Sequence, residues 1–308
     1  MSDLQMPPGM TLRQDSQNSA PATTKVNPLA GFMRQPKIYV TLPSKGAYWP
    51  AGSIQIPENG ELPVFSMTAK DELLFKTPDA LMNGQAVVDV IQSCMPAIKN
   101  AWKTPNIDLD MILIAIRIAT YGDMMDITHT VPGTDKEVDH QIDLKTVMDQ
   151  LSAGRWEEAV EIGDGLTCFM QPLTYKHVTM TGIKTFETQR LMQAVNNEDL
   201  SDEKKLEVFN ESFNKMTNIT IDLMAESISS IQTPETVVNE QRYIRDFLQN
   251  ADKDVFQKLQ AHITRMKDLN GIQPIKMIST EDEVALGAPT TYELPIRIDN
   301  SDFFAVGS

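Results

Sequence analysis

The first third of the chain changes from an alternating to a helical hydrophobic pattern. Ile38, Val40 and Leu42 alternate with other residues, which predicts a strand. The pattern predicts further short strands at Ser53–Ile56 and Pro63–Ser66. Turn signals separate them, at Pro43-Ser44-Lys45-Gly46 and at Pro57-Glu58-Asn59-Gly60. Residues 37–66 therefore predict a small β structure closed by tight turns.

From residue 68 onward the apolar spacing of three and four predicts helices. Thr68 followed by Asp71 and Glu72 is typical of a helix N-cap with an acidic first turn. A short helix is predicted to begin at Thr77-Pro78-Asp79 and to stop at Gly84. Further helices are predicted at about 85–94 and 109–121, the second with Gly122 as its C-cap. That helix is apolar nearly all round, so we predict that it is central to the core.

The rest of the chain alternates hairpins with helices. Hairpins are predicted at 126–144, 160–172 and 275–298, and helices at 145–153, 178–195, 201–231, 237–248 and 253–269. The predicted fold class is α+β, mainly α-helical, with short antiparallel β-hairpins packed against helix groups. Residues 1–36 are rich in Pro, Ser, Gln, Asn and Thr and predict a flexible N-terminal arm. The predicted domains are 37–158, a β-turn and helical domain with a hairpin, and 159–308, which holds a hairpin, long helices and a C-terminal β-hairpin with a tail.

Two apolar features are candidates for partner contact. On the predicted helix 201–231, large apolar residues are spaced by three or four, at Leu206, Phe209, Phe213, Met216, Ile219 and Leu223. This row packs either in the chain's own core, the preferred interpretation, or against a partner helix. Near the C-terminus, Phe303 and Phe304 dock either on this chain or on a partner. The candidate partner-contact residues are therefore Phe303, Phe304, Phe209, Phe213, Met216 and Leu223.

Composition and charge argue against several classes of function. A net charge of −15 disfavours binding to nucleic acid, whose phosphates repel an acidic surface. No run of apolar residues is long enough for a membrane span, and residues 1–20 lack the apolar centre of a signal peptide. The two cysteines, Cys94 and Cys168, give no disulfide framework and fit a reducing compartment. The sequence therefore predicts a cytoplasmic protein that binds neither nucleic acid nor membrane.

Motifs of catalysis and cofactor binding are not found in the sequence. It has no nucleophile elbow, phosphate-binding loop, dinucleotide fingerprint or His-Glu-x-x-His. His129 and His140 flank the first hairpin and could face each other, but no cysteine or second carboxylate lies at ligand spacing beside them. We therefore predict no catalytic residue, metal site or cofactor.

A set of short motifs follows in a fixed order along the chain: Leu42-Pro43-Ser44-Lys45-Gly46-Ala47-Tyr48-Trp49, Met67-Thr68-Ala69-Lys70-Asp71-Glu72, Leu81-Met82-Asn83-Gly84-Gln85-Ala86, Ile91-Gln92-Ser93-Cys94 and Leu113–Gly122. This ordered set resembles the baseplate hub assembly protein family of T-even-type contractile-tailed bacteriophages. The ending, Leu294–Asp299 with Phe303-Phe304, resembles that of longer family members. Within the motifs, Pro43, Gly46, Thr68 and Gly122 are expected to be structural turn and cap residues.

The resemblance implies a non-enzymatic role in building the baseplate hub, on which the tail tube and its tape-measure protein are assembled. Expected partners are other hub proteins or the tape-measure protein, with a homo-oligomer as a further option, and expected locations are the host cytoplasm during assembly and the virion tail baseplate. The alternatives are a transient chaperone of the tape-measure protein and, from a different function class, a tail-associated hydrolase. The resemblance also implies Cys-x-x-Cys pairs in two hairpins, because many members of that family carry them. This chain instead has Thr128-His129-Thr130-Val131-Pro132-Gly133 in the first of these hairpins and no cysteine in the C-terminal one. The departure implies hairpins held by ordinary packing rather than by a metal.

Overall fold

In the computed structural model, the chain divides into residues 1–34 and residues 35–308. The structure describes Leu29 and residues 33–77, 83–197 and 201–296. Every helix and strand named below belongs to the second unit. The predicted N-terminal arm and the start of the predicted helix at Thr77-Pro78-Asp79 lie mostly outside the described residues.

The elements alternate along the chain between short strands and helices. The strands are β1 Pro36–Val40, β2 Leu62–Phe65, β3 Met124–Thr130, β4 Glu137–Asp143, β5 Ala159–Gly163, β6 Leu166–Met170, β7 Ile228–Gln232, β8 Val237–Val238, β9 Ile275–Ile278 and β10 Thr291–Leu294. The helices are α1 Ala69–Phe75, α2 Gln85–Cys94, α3 Asn106–Tyr121, α4 Leu144–Ser152, α5 Tyr175–Asn197, α6 Asp202–Glu226, α7 Gln241–Asn250, α8 Lys253–Asn270 and α9 Glu281–Ala285. These elements confirm the predicted α+β class.

All strand pairs are antiparallel, as hairpin patterns predict. β1 pairs with β2, β3 with β4, and β9 with β10, while β5, β6, β7 and β8 form a four-stranded sheet in that order. In the β3–β4 hairpin, Ile127 lies opposite His140 and His129 lies opposite Val138. The two histidines therefore share one face of the hairpin but are diagonal rather than opposite.

The first apolar core surrounds α3. Met111, Ile112, Ile114 and Ile116 of that helix are fully buried, which confirms that α3 is a central helix. Strands β1 and β2 and helices α2 and α4 pack around it. Burial of one such side chain contributes about 1.5–3 kcal/mol to folding. Helix α3 thus contributes more buried residues to the first core than any other described element does.

A second apolar core joins the four-stranded sheet to the C-terminal end of α6 and to α7 and α8. Its fully buried members include Cys168, Ile228, Ile244 and Leu259. The β9–β10 hairpin does not join this core, because Ile275 packs against the first core instead. The predicted domain division at 158/159 stays a prediction.

Several element predictions were wrong in part, because contacts with distant residues override local pattern. Ser53–Ile56 forms only an isolated bridge from Ile54 to Ile98. The Ser53 carbonyl accepts hydrogen bonds from the Lys99 and Asn100 N–H groups, so this segment pairs with a loop rather than a strand. The predicted strand Pro63–Ser66 is confirmed as β2, displaced by one residue.

The predicted helix 201–231 also ends early, at Glu226. Residues Ile228–Gln232 form β7, where Ile228 pairs with Met170 and is fully buried. Val237–Val238, predicted as a helix start, is β8 instead, and α7 begins at Gln241. Gly84, predicted as a helix stop, is the N-cap of α2 with a φ of 77°. Within the described residues, no helix has the length and apolar character that a bilayer crossing requires.

Candidate functional site

The two longest helices, α5 and α6, pack against each other as a helical hairpin. Small polar side chains mark the line where they meet. Thr188 of α5 is fully buried and Ser212 of α6 is 5% exposed, although most residues around them are exposed. Thr188 satisfies its hydroxyl locally by donating to the Lys184 carbonyl at 2.8 Å. Because the side chains along this line are small and polar, the large apolar residues of α6 lie on another side of the helix.

An exposed apolar face runs along the first half of α6. Leu206, Phe209 and Phe213 are 60%, 52% and 61% exposed, and their spacing of three and four places them on one side of the helix. We call these three residues the α6 face. The preferred interpretation of this row as core was wrong for the α6 face, since neither α5 nor the body of the protein covers it.

The row continues toward the body of the protein with increasing burial. Met216, Ile219 and Leu223 are half-buried, and Met224 and Ala225, which follow directly, belong to the second core. The same helix therefore anchors in the body at one end and presents apolar residues to solvent at the other. Contact of Phe209, Phe213, Met216 and Leu223 with a partner stays a prediction.

Polar contacts fix the root of the hairpin. His177 of α5 lies 3.6 Å from the Glu226 carboxylate at the end of α6. Burial lowers the pKa of His177, and the nearby Glu226 opposes that shift. Arg245 of α7 forms an ion pair of 2.9 Å with Asp222. The first contact thus joins the two helices of the hairpin to each other, and the second ties α6 to α7.

A buried carboxylate organises the motif at residues 42–49. Asp108, in the first turn of α3, accepts hydrogen bonds from the backbone N–H of Ser44 at 2.8 Å, from the Ser44 hydroxyl and from the Trp49 indole at 2.7 Å. Asp108 is fully buried. Burial raises its pKa, while the hydrogen bonds from Ser44 and Trp49 act in the opposite direction. The sequence pattern missed Asp108, and its only signal was an acidic residue in the first turn of an apolar helix.

Pro43 and Gly46 have the structural roles that were expected of them. The turn from Leu42 to Lys45 closes with a hydrogen bond of 2.9 Å, and Pro43 occupies its second position, where a fixed φ is favourable. Gly46 has a φ of +85°, and a Cβ there would lie 2.2 Å from the Ile56 Cδ1 atom. Only glycine fits this position without strain.

Thr68 caps the start of α1 and Gly122 caps the end of α3, and a hydrogen bond joins these two helix ends. Thr68 and Asp71 form a capping box at the start of α1, and Ser93 of α2 also donates to Asp71 at 3.0 Å. Gly122, with a φ of 94°, ends α3 by donating to the Ile118 carbonyl at 3.0 Å. The Met67 N–H donates to Thr120 near that end of α3. These contacts fix the ends of α1 and α3 beside the first core, although Thr68 and Gly122 themselves are exposed.

The β3–β4 and β9–β10 hairpins are joined by direct contacts. His129 Nε2 and the Tyr292 hydroxyl lie 2.8 Å apart, and Lys136 forms an ion pair of 2.9 Å with Glu283. Gly133 approaches the second hairpin so closely that a Cβ on it would lie 2.5 Å from the Gly287 carbonyl oxygen. Across residues 33–77, 83–197 and 201–296, no three His, Cys, Asp or Glu side chains cluster as metal ligands.

The remaining candidates, Phe303 and Phe304, lie outside the described residues. The described chain stops at Ile296, beside a groove of about 420 Å³ between β3 and β10. Any contacts of Phe303 and Phe304 therefore stay predictions. Among the described helices, α6 carries the largest row of exposed apolar side chains on one side, the α6 face.

Comparison with models of known protein families assigns the chain to a family. The model of one family, described as "T4 bacteriophage base plate protein", matches residues 36–286. The match begins at β1 and extends through α9, so it includes both apolar cores and the helical hairpin. The chain matches no curated protein and no solved structure.

Proposed function

The chain belongs to the T4 bacteriophage base plate protein family, and on that premise we propose that it acts in the assembly or structure of the baseplate hub through protein–protein contacts, without an enzymatic step. The observation that carries this proposal is the α6 face. Exposed apolar side chains in a continuous row are typical of interaction surfaces. Covering one Leu or Phe of this row contributes about 1.5–3 kcal/mol to an association.

The form of the surface indicates the kind of partner. An apolar row with spacing three and four on one helix suits a second amphipathic helix laid along it. Other hub proteins and the tape-measure protein are the proposed partners, and a second copy of the chain is the alternative. The net charge of −15 supports a protein partner over nucleic acid. The proposed locations are the host cytoplasm during assembly and the baseplate of the virion tail.

Co-expression tests the proposal. The chain is produced with each of the other tail proteins of its own phage, one at a time, and each mixture is resolved by size-exclusion chromatography with light scattering. We expect a stable complex with at least one hub or tape-measure protein. A chain that elutes alone with every tail protein contradicts the proposal.

A second candidate within the same class is a transient chaperone of the tape-measure protein. It is favoured by the same α6 face, which could hold an amphipathic helix until the tail tube forms. Mass spectrometry of purified virions separates the two candidates. A stoichiometric presence in virions supports a structural role, whereas absence from virions together with a tape-measure complex during assembly supports the chaperone.

A further inference from the structure

The α6 face follows the seven-residue repeat of a coiled coil. If Leu206 takes the first position of the repeat, Phe209 takes the fourth, and Phe213 and Met216 take the same two positions in the next repeat. Apolar residues at the first and fourth positions form a seam along which a second helix packs. The α6 face is therefore spaced for one helix that runs along α6.

Helix α5 already covers one flank of this seam. The flank at the seventh position has half-buried or buried side chains, which are Lys205, Ser212 and Ile219, and Ser212 lies on the line where α5 and α6 meet. The opposite flank, at the fifth position, is exposed throughout and consists of Glu203, Asn210 and Thr217. We call these three residues the free flank. An incoming helix therefore approaches from the free flank and completes a three-helix bundle with α5 and α6.

Negative charge gathers where the seam begins. Asp202 lies on the seam, four residues before Leu206, and Glu203 begins the free flank. Both carboxylates are exposed, and none of the ion pairs between described residues includes either of them. They complement the dipole at the start of α6, and they also remain open to a cation from outside. Farther along, the free flank is uncharged. A lysine or arginine on the incoming helix thus has its complement at Asp202 and Glu203.

A second copy of the chain does not supply this complementary charge. In an antiparallel pair of α6 helices centred on Asn210, the free flanks face each other, and Glu203 of one copy meets Thr217 of the other. A parallel pair would require the flank that α5 already covers. Two copies, each with a net charge of −15, also repel each other. The charges therefore favour a different protein with a basic helix.

From these observations, and resting on the proposed function, we propose that the α6 face binds one amphipathic helix of another protein, with lysine or arginine on the flank that meets Asp202 and Glu203. Apolar contact along the seam supplies most of the affinity. The charges select a basic helix over an acidic one and fix the register in which the helix lies on α6.

Two synthetic peptides test the chemistry of the partner. Each has about 21 residues, long enough to form a helix, with leucine at the first and fourth positions of the repeat. They differ only in carrying lysine or glutamate on both flanks. Binding to the full chain is measured by fluorescence anisotropy at about physiological ionic strength. We expect the lysine peptide to bind at least about tenfold more tightly than the glutamate peptide, and Phe209→Ser with Phe213→Ser to abolish its binding.

Charge reversal on α6 should reverse this preference. In the variant Asp202→Lys with Glu203→Lys, we expect the glutamate peptide to bind more tightly than it binds the natural chain, and unfolding cannot produce such a gain. The matched control is Glu187→Lys with Glu211→Lys, which changes the net charge by the same amount. Glu211 lies two residues before Phe213 and so on another side of α6, and Glu187 belongs to α5. The control variant should still prefer the lysine peptide.

Several outcomes overturn the proposal. Equal affinity of the two peptides does so, as does the absence of binding by either peptide. A control variant that also reverses the preference overturns it, because net charge alone would then explain the selection. A natural chain that dimerises, and that Phe209→Ser with Phe213→Ser makes monomeric, overturns it too, because a second copy then covers the face. The proposed function is tested separately, since it fails only when the chain elutes alone with every tail protein.

Discussion

The indole Nε1 atom of Trp49 donates a hydrogen bond of 2.7 Å to the carboxylate of Asp108. Both residues are buried, and they are 59 positions apart in the chain. The bond attaches the turn at residues 42–49 to the first turn of the central helix α3, and Ser44 completes the attachment with two further donors. The turn at residues 42–49 therefore forms a structural clasp around one buried carboxylate.

The first prediction concerns this clasp. Asp108→Ala should lower the free energy of unfolding by about 3–4 kcal/mol, because it leaves buried donors of Ser44 and Trp49 unsatisfied. Trp49→Phe should lower it by about 1–3 kcal/mol, since it removes one donor and part of the packing. Urea unfolding of both variants and of the double variant gives the coupling energy. Strictly additive effects would argue against a direct bond, because contacting pairs couple by about 0.5–3 kcal/mol.

The second prediction concerns Gly46 and uses Gly52 as a matched control. Both glycines have a positive φ, but a Cβ meets Ile56 at 2.2 Å only at Gly46, and nothing lies within 4 Å at Gly52. Gly52→Ala should therefore destabilise the protein by about 1–2 kcal/mol, the cost of the left-handed backbone, and Gly46→Ala by about 1 kcal/mol more, because the exposed Ile56 side chain must move away. Equal losses in thermal or urea unfolding would show that the contact with Ile56 has no energetic effect.

The third prediction is a pH dependence that arises from Asp110 of α3. Burial raises the pKa of its carboxyl group to about 6. The folded state then binds the proton more tightly than the unfolded state, so this contribution to stability is complete below pH 4 and is lost as the pH rises toward 6. Asp110→Asn should flatten that decline by an amount on the order of 1 kcal/mol, after allowance for partial exposure of the half-buried side chain.

Urea unfolding between pH 4 and pH 7 checks this dependence. Asp89→Asn on α2 is the control, because that carboxylate lies on an exposed part of the surface. An unchanged profile in the Asp110 variant would contradict the assignment.

The fourth prediction concerns the contact between the two hairpins. Tyr292→Phe removes the hydroxyl that lies 2.8 Å from His129 Nε2 and should destabilise the protein by about 1 kcal/mol. Hydrogen exchange should accelerate in β9–β10 more than in α3, since the loss is local. Tyr39→Phe, at a residue that is 60% exposed, is the matched control. Uniform acceleration across the whole chain would instead indicate that the hairpin has no independent opening.

Local pattern was enough to predict most elements but not the contacts between them. The helices at 85–94 and 253–269 and the hairpin around residues 132–135 follow from periodicity and turn residues alone. Residues Ile228–Gln232 were predicted as helix, because only pairing with β6 makes them a strand. The clasp at Asp108 and the contact from His129 to Tyr292 join residues 59 or more positions apart, which a one-dimensional pattern does not encode.

The sequence predicted the α6 face only in part, because a one-dimensional pattern does not show which elements pack against each other. Spacing places Leu206, Phe209 and Phe213 on one side of α6, but spacing does not say whether another element covers that side. The covering residues would have to come from α5, whose contact line instead runs through Thr188. The exposure of the α6 face is thus a tertiary property.

The most direct test of the account is the effect of the α6 face on partner binding. The variant Phe209→Ser with Phe213→Ser is compared with the natural chain and with Leu269→Ser, which changes a residue that is 54% exposed on α8. The affinity for the tail protein that forms a complex in co-expression is measured by calorimetry, after circular dichroism shows equal folding. We predict that the double α6 variant binds at least 100-fold more weakly, from the loss of about 3 kcal/mol or more of apolar burial. Leu269→Ser should bind as the natural chain does. Unchanged affinity in the α6 variant would contradict the account.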